Sequence, residues 1–140
     1  MGFLLEKILT LPAILLAFTF HEYAHALVAD KLGDKTARFQ GRLTLNPAKH
    51  IDPFGFLCVL LLGIGYARPV QVNPGAFKNY YKDDLKVSLA GPLANFLVAI
   101  VAALIFAIYI KFLYRFIPGD LAQILYLMLL YTVSINISLG

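Results

Sequence analysis

The sequence predicts an all-α polytopic membrane protein: three full transmembrane helices, a re-entrant or short helical hairpin, and a small β-hairpin at the cytoplasmic membrane boundary. Three observations predict it. Of 140 residues, 60% are hydrophobic and only 14% charged, where a soluble domain carries about 25% charged residues. Three apolar runs are each long enough to cross a hydrocarbon core of about 30 Å at about 1.5 Å rise per residue. Nine of the twelve Lys and Arg residues cluster between the first and second of these runs, which marks that segment as the cytoplasmic side.

The first run, Ile8 to Ala29, has Pro12 near its start, where a helix tolerates proline. Asp30 to Lys35 ends it with charges and Gly33. Thr36 to Leu45 alternates loosely around Gln40-Gly41 and Pro69 to Val72 alternates again, the pattern of short strands or a hairpin. Asn46-Pro47 and Asn73-Pro74-Gly75 are turns. Between them Phe54 to Tyr66 is apolar but carries Gly55, Gly63 and Gly65. It is too short for a comfortable span and suits a re-entrant hairpin or a tilted short helix.

Val87 to Ile110 is the second full span, with Gly91-Pro92 near its entrance and Asn95 inside it. The glycine allows another helix to approach closely, and the proline starts or kinks the helix. Leu121 to Leu139 is the third, after the turn at Pro118-Gly119-Asp120, and contains Gln123, Ser134 and Asn136. Tyr66, Tyr80, Tyr81, Tyr109 and Tyr114, at the span ends, read as interfacial anchors. The chain shows no internal repeat, and residues 1–140 read as a single membrane-embedded core.

Lys31, Lys35, Arg38, Arg42, Lys49, Arg68, Lys78, Lys82 and Lys86 lie on the predicted cytoplasmic side, against Lys7, Lys111 and Arg115 opposite. This assignment requires that Phe54 to Tyr66 not cross. The net charge of +4 accompanies apolar spans and no nucleic-acid motif, so it is a topology signal and nucleic acid is not a predicted partner. A lone Cys58 in an apolar run forms no internal disulfide and reads as a small core hydrophobe.

Inside the first span stands Phe20-His21-Glu22-Tyr23-Ala24-His25. Ionisable side chains are expensive in lipid and usually functional there. On a helix His21 and His25, four apart, share a face. Both imidazoles can reach one metal ion, while Glu22 approaches a water on it. Zinc needs neutral nitrogen or anionic ligands at about 2 Å and an open position, and it makes water acidic enough for a carboxylate to deprotonate. His21 lies nine residues before Asp30, so the metal position is about 13 Å below that helix end. Competing explanations are a chance match, hydrogen bonding between helices, a secretory signal with Ala24-His25-Ala26 as its cleavage site, and an axial haem ligand. The signal reading lacks a positive start, since Glu6 stands beside Lys7, and apolar residues resume at Leu27.

The chain resembles the site-2 protease family of intramembrane zinc metalloproteases, in its compact prokaryotic form without a PDZ domain. The resemblance is carried by His21-Glu22-Tyr23-Ala24-His25, by Gly41-Arg42-Leu43-Thr44-Leu45-Asn46-Pro47 with His50-Ile51-Asp52-Pro53, and by Ala90-Gly91-Pro92-Leu93-Ala94-Asn95. It implies His21 and His25 as zinc ligands and Glu22 as the general base. His50, Asp52 and Asn95 become candidates for supporting or substrate-positioning roles. A transmembrane protein or peptide is the implied substrate and the lipid bilayer the setting. The family's third ligand, an aspartate in a Leu-Asp-Gly motif, has no counterpart in these 140 residues, and the expectation is a C-terminal truncation ahead of it. The alternative is a non-catalytic pseudoprotease or fragment acting as a membrane interaction protein.

Overall fold

A computed structural model of the chain describes residues 3–62 and 68–140, with the backbone alone described at 3–5 and 60. Small residues determine how its long helices meet. On α1 (Phe3–Lys31), Ala13, Ala17 and Ala29 are fully buried. They recur at four-residue steps with His21 and His25 between them, so one stripe carries both the close contacts and the imidazoles. On α4 (Tyr80–Ile108), Val87, Gly91, Asn95 and Ala99 form the buried stripe. The two stripes face each other, and α5 (Gly119–Leu139) packs against both helices.

Among the described residues, three helical segments are long and apolar enough to cross a membrane: Glu6–Lys31, Tyr80–Phe116 and Gly119–Leu139. Leu93, Leu97, Ile100, Leu104 and Ile108 on α4 are exposed. In water that would be costly, but lipid is as apolar as leucine and the outward face of a membrane bundle has no reason to be covered. Helix α4 begins at Tyr80, ahead of the predicted Val87. Its first turns are charged, with Asp83 Oδ2 accepting from Asn79 N–H at 3.1 Å and Lys86 pairing with Asp83 at 2.7 Å. Hydropathy marked where the chain becomes apolar, which is not where its helix starts. Tyr109, expected as an interfacial anchor, is buried instead and donates its hydroxyl to Ala122 O at 2.6 Å, closing the turn between α4 and α5.

The predicted hairpin does not form. No β-strand occurs among the described residues, and Thr36–Phe39 is a helical turn, α2. Gly41 closes α2 instead. Its φ of +66° lets Gly41 N–H reach Arg38 O at 3.0 Å and Arg42 N–H reach Ala37 O at 2.8 Å, the paired bonds of a Schellman cap. Gly33 (φ +113°) ends α1 in the same way, with Asp34 N–H on Ala29 O at 3.0 Å. Gly41, which looked like hairpin punctuation, is a helix stop, and Gly33 ends the first helix as the sequence suggested. Arg38 then folds α2 back, donating from Nε and Nη2 to the Asp30 carboxylate at 2.8 and 2.7 Å.

The re-entrant hairpin expected over Phe54 to Tyr66 is not found among the described residues either. They form a single helix, α3 (Pro53–Leu62), of ten residues, which is about 15 Å long and half a hydrocarbon core. Gly63, Gly65 and Tyr66 lie outside the described residues. Asp52 Oδ1 accepts from Gly55 N–H at 2.9 Å and starts α3 as its N-cap, with Pro53 as first helical residue.

Residues 68–73 run without helix or turn. Arg68 N–H donates to His50 O at 2.9 Å, Arg42 Nη1 to Arg68 O at 3.0 Å, and Asn73 N–H to Asp34 Oδ2 at 2.6 Å. Through Val70 N–H the segment also reaches Glu22, the residue after His21.

Candidate metal centre

The two imidazoles meet edge to face, with ring centroids 4.7 Å apart and planes at 79°. Each is held from α4 through its Nδ1: His25 Nδ1 donates to Val87 O at 2.7 Å, and His21 Nδ1 lies 3.0 Å from the Asn95 side-chain amide. Holding Nδ1 leaves Nε2 of each ring free for another partner.

Both rings lie against Gly91. A Cβ placed on it would stand 2.5 Å from His25 Nε2 and 2.6 Å from His21 Nε2. Both nitrogens therefore close on Gly91, and α4 passes the rings only because residue 91 has no side chain. Two neighbouring imidazole nitrogens, each on a ring whose Nδ1 is held from α4, match the ligand chemistry of zinc. Among the described residues, no group of three or more His, Cys, Asp and Glu is placed to hold a metal. The fit is thus that of two ligands.

Glu22, next along α1, is 8% exposed. Its Oε2 accepts from Val70 N–H at 2.7 Å, so one carboxylate oxygen is tied to the 68–73 segment. A cavity of about 260 Å³ opens here, lined by Glu22, His25, Pro69, Val70, Val72, Asp84, Val87 and Ser88. The segment is fixed in turn by Asp34, a carboxylate 1% exposed. Burial works to raise its pKa, but bonds from the Thr36 hydroxyl and from Asn73 N–H and Thr36 N–H outweigh burial and hold it below the usual carboxylate range.

The other residues singled out from the sequence are placed differently. Asn95, 0% exposed, joins the histidine pair. His50, 1% exposed, puts Nε2 on Thr44 O at 2.7 Å, and its ring lines a separate small cavity with Thr19 and Phe56. Asp52 caps α3. The Val87 carbonyl, the Val70 N–H and Asp34 escaped sequence reasoning, the first two because a backbone group has no signature of its own.

The profile of Peptidase family M50 matches residues 9–139. The chain belongs to this family. Within M50, the site-2 protease family, two relatives are named as zinc metalloproteases. YwhC of Bacillus subtilis (strain 168) is 51% identical over 88 residues, 63% of this chain and 40% of the relative. Rip2 of Mycolicibacterium smegmatis is 33% identical over 98 residues, 66% of this chain and 38% of the relative. The M50 chain thus spans about two fifths of the length of these relatives. No solved structure gives a significant match to it.

Proposed function

We propose that this chain is the histidine-bearing core of an intramembrane zinc metalloprotease that hydrolyses peptide bonds in transmembrane substrates. The observation that carries the reading is that His21 Nε2 and His25 Nε2 are brought together against Gly91, with Glu22 next to His21 on the same helix. These two nitrogens would hold the zinc ion, and a further ligand would come from outside the described residues. When bound, zinc supplies Lewis acidity, which polarises a scissile carbonyl and lets water lose a proton near neutral pH.

The remaining work falls to the chain itself. Glu22 takes the proton of the attacking water on its free oxygen while Val70 N–H steadies the other, and it returns that proton to the leaving amide nitrogen. A substrate helix has to unwind first, because helical amides are already hydrogen-bonded and shielded. The 68–73 segment offers an unwound substrate main-chain partners that lipid lacks. The basic residues between the first two spans support a cell-membrane protein with its site nearer the cytoplasmic face.

The test is metal content, spectrum and turnover on purified protein in detergent or bilayers. About one zinc per chain without a Soret band is expected, and Glu22→Gln keeps the metal while ending cleavage of a membrane-inserted peptide. Persistent cleavage by Glu22→Gln would refute the assigned base. A chain without zinc or turnover would be the rival reading, a membrane interaction protein.

A further inference from the structure

We propose that the Asn95 side chain accepts a hydrogen bond from His21 Nδ1–H and thereby sets the tautomer in which His21 presents a bare Nε2 toward the metal position. The inference rests on the zinc reading for its purpose, but its first readout is independent of metal.

The neighbouring ring supplies the reference. His25 Nδ1 lies 2.7 Å from Val87 O. A peptide carbonyl only accepts, so the His25 proton is on Nδ1 and its lone pair on Nε2. His21 faces an amide instead, at 3.0 Å, and an amide has one donor end and one acceptor end.

The two orientations of that amide have opposite consequences. With Nδ2 toward the ring, His21 Nδ1 accepts and the ring proton sits on Nε2, where it blocks the lone pair a metal requires. Asn95 Oδ1 is then buried without a partner, on a side chain that is 0% exposed. Turned end for end, the amide keeps its shape, since its nitrogen and oxygen are nearly isosteric. Oδ1 now meets Nδ1, Nδ1 keeps its proton, and Nε2 is bare. The turn leaves the amide NH2 where the oxygen stood, so the number of unmet groups does not choose between the orientations. The rings do. Only this orientation gives the two nitrogens that close on Gly91 the same lone-pair character.

The placement along α4 follows the same logic. Val87, Gly91 and Asn95 are spaced by four residues and share a face. One turn orients His25, the next makes room for both rings, and the third orients His21. Asn95 is thus a positioning residue that acts through His21, and an amide committed to a ring is not free to hold substrate.

The experiment uses the chain in micelles with ring-¹⁵N-labelled histidine, first without metal. In the wild type, His21 is expected as the Nδ1–H tautomer. Asn95→Leu, similar in volume but without an acceptor, should release that tautomer and weaken zinc affinity by about 10- to 100-fold. Asn95→Asp keeps an acceptor and should hold both the tautomer and an affinity within about threefold of wild type. Circular dichroism reports helix content, and if Asn95→Leu does not fold, the wild-type spectrum and Asn95→Asp decide. An Nε2–H tautomer for His21 in the wild type, or an unchanged tautomer in Asn95→Leu, overturns the proposal. If the tautomers respond as stated while wild type binds no zinc, the metal reading fails and the Asn95 assignment stands.

Discussion

Val70 donates its backbone N–H to Glu22 Oε2 at 2.7 Å. The bond joins residues 48 apart in sequence and ties the 68–73 segment to the carboxylate beside the histidine pair. It also leaves the other carboxylate oxygen as the one available for a proton. Removing this donor tests the arrangement directly. Val70→Pro deletes the N–H, and its restriction on Pro69 is mild because residue 69 is not helical. A hydrogen bond to a charged group is worth about 1.5–3 kcal/mol, so kcat/KM should fall roughly tenfold to a hundredfold. Val70→Ala keeps the N–H and should stay near wild type. Equal losses in both variants would mean that the side chain, not the amide, matters.

Gly91→Ala makes a prediction whose sign separates helix propensity from the site. In an ordinary helix interior the change stabilises by about 0.5–1 kcal/mol. Here the new methyl would stand 2.5 and 2.6 Å from the two Nε2 atoms, so a ring or a helix has to move. Overpacking of this kind costs about 1–3 kcal/mol. The expected outcome is a lower Tm together with loss of zinc retained on purification. A higher Tm with zinc retained would show that the rings do not close on Gly91.

Asp34 gives a pH dependence. Its carboxyl is held below the usual range, burial being outweighed by bonds from Thr36 and Asn73. A depressed folded pKa means the unfolded chain binds the proton more readily. The stabilisation is therefore complete above about pH 4–5 and is lost as pH falls through the lowered value. Asp34→Asn turns a donor toward Asn73 N–H, which the carboxylate now accepts at 2.6 Å, and should cost about 1.5–3 kcal/mol at neutral pH. Measured as Tm against pH, the gap between wild type and variant should narrow in acid. A gap that stays constant to pH 2 would remove Asp34 as its source.

The reach of the sequence differs from element to element. The three apolar spans were legible because lipid imposes one requirement, length in apolar residues, and that is written locally. That His21 and His25 stand side by side was legible because a helix fixes which residues share a face at a spacing of four. The hairpin was misread because Gln40-Gly41 serves a hairpin and a Schellman cap equally well. What selects the cap is the Arg38 to Asp30 pair, a contact between two elements. Tyr109 was misread for a related reason: at a span end, interface and helix packing look alike until the partner, Ala122 O, is known.

From residue order alone come a membrane-embedded helical chain and a histidine pair with a carboxylate between them, since periodicity and hydropathy are properties of neighbours along the backbone. Folding in three dimensions decided the rest. It brought Val87 O and Asn95 to the two Nδ1 atoms, set Gly91 against both Nε2 atoms, and carried Val70 N–H to Glu22. Each of these joins α1 to a segment at least 48 residues away, through backbone atoms, an amide, or a missing side chain. Such groups acquire a chemical role only from what stands opposite them.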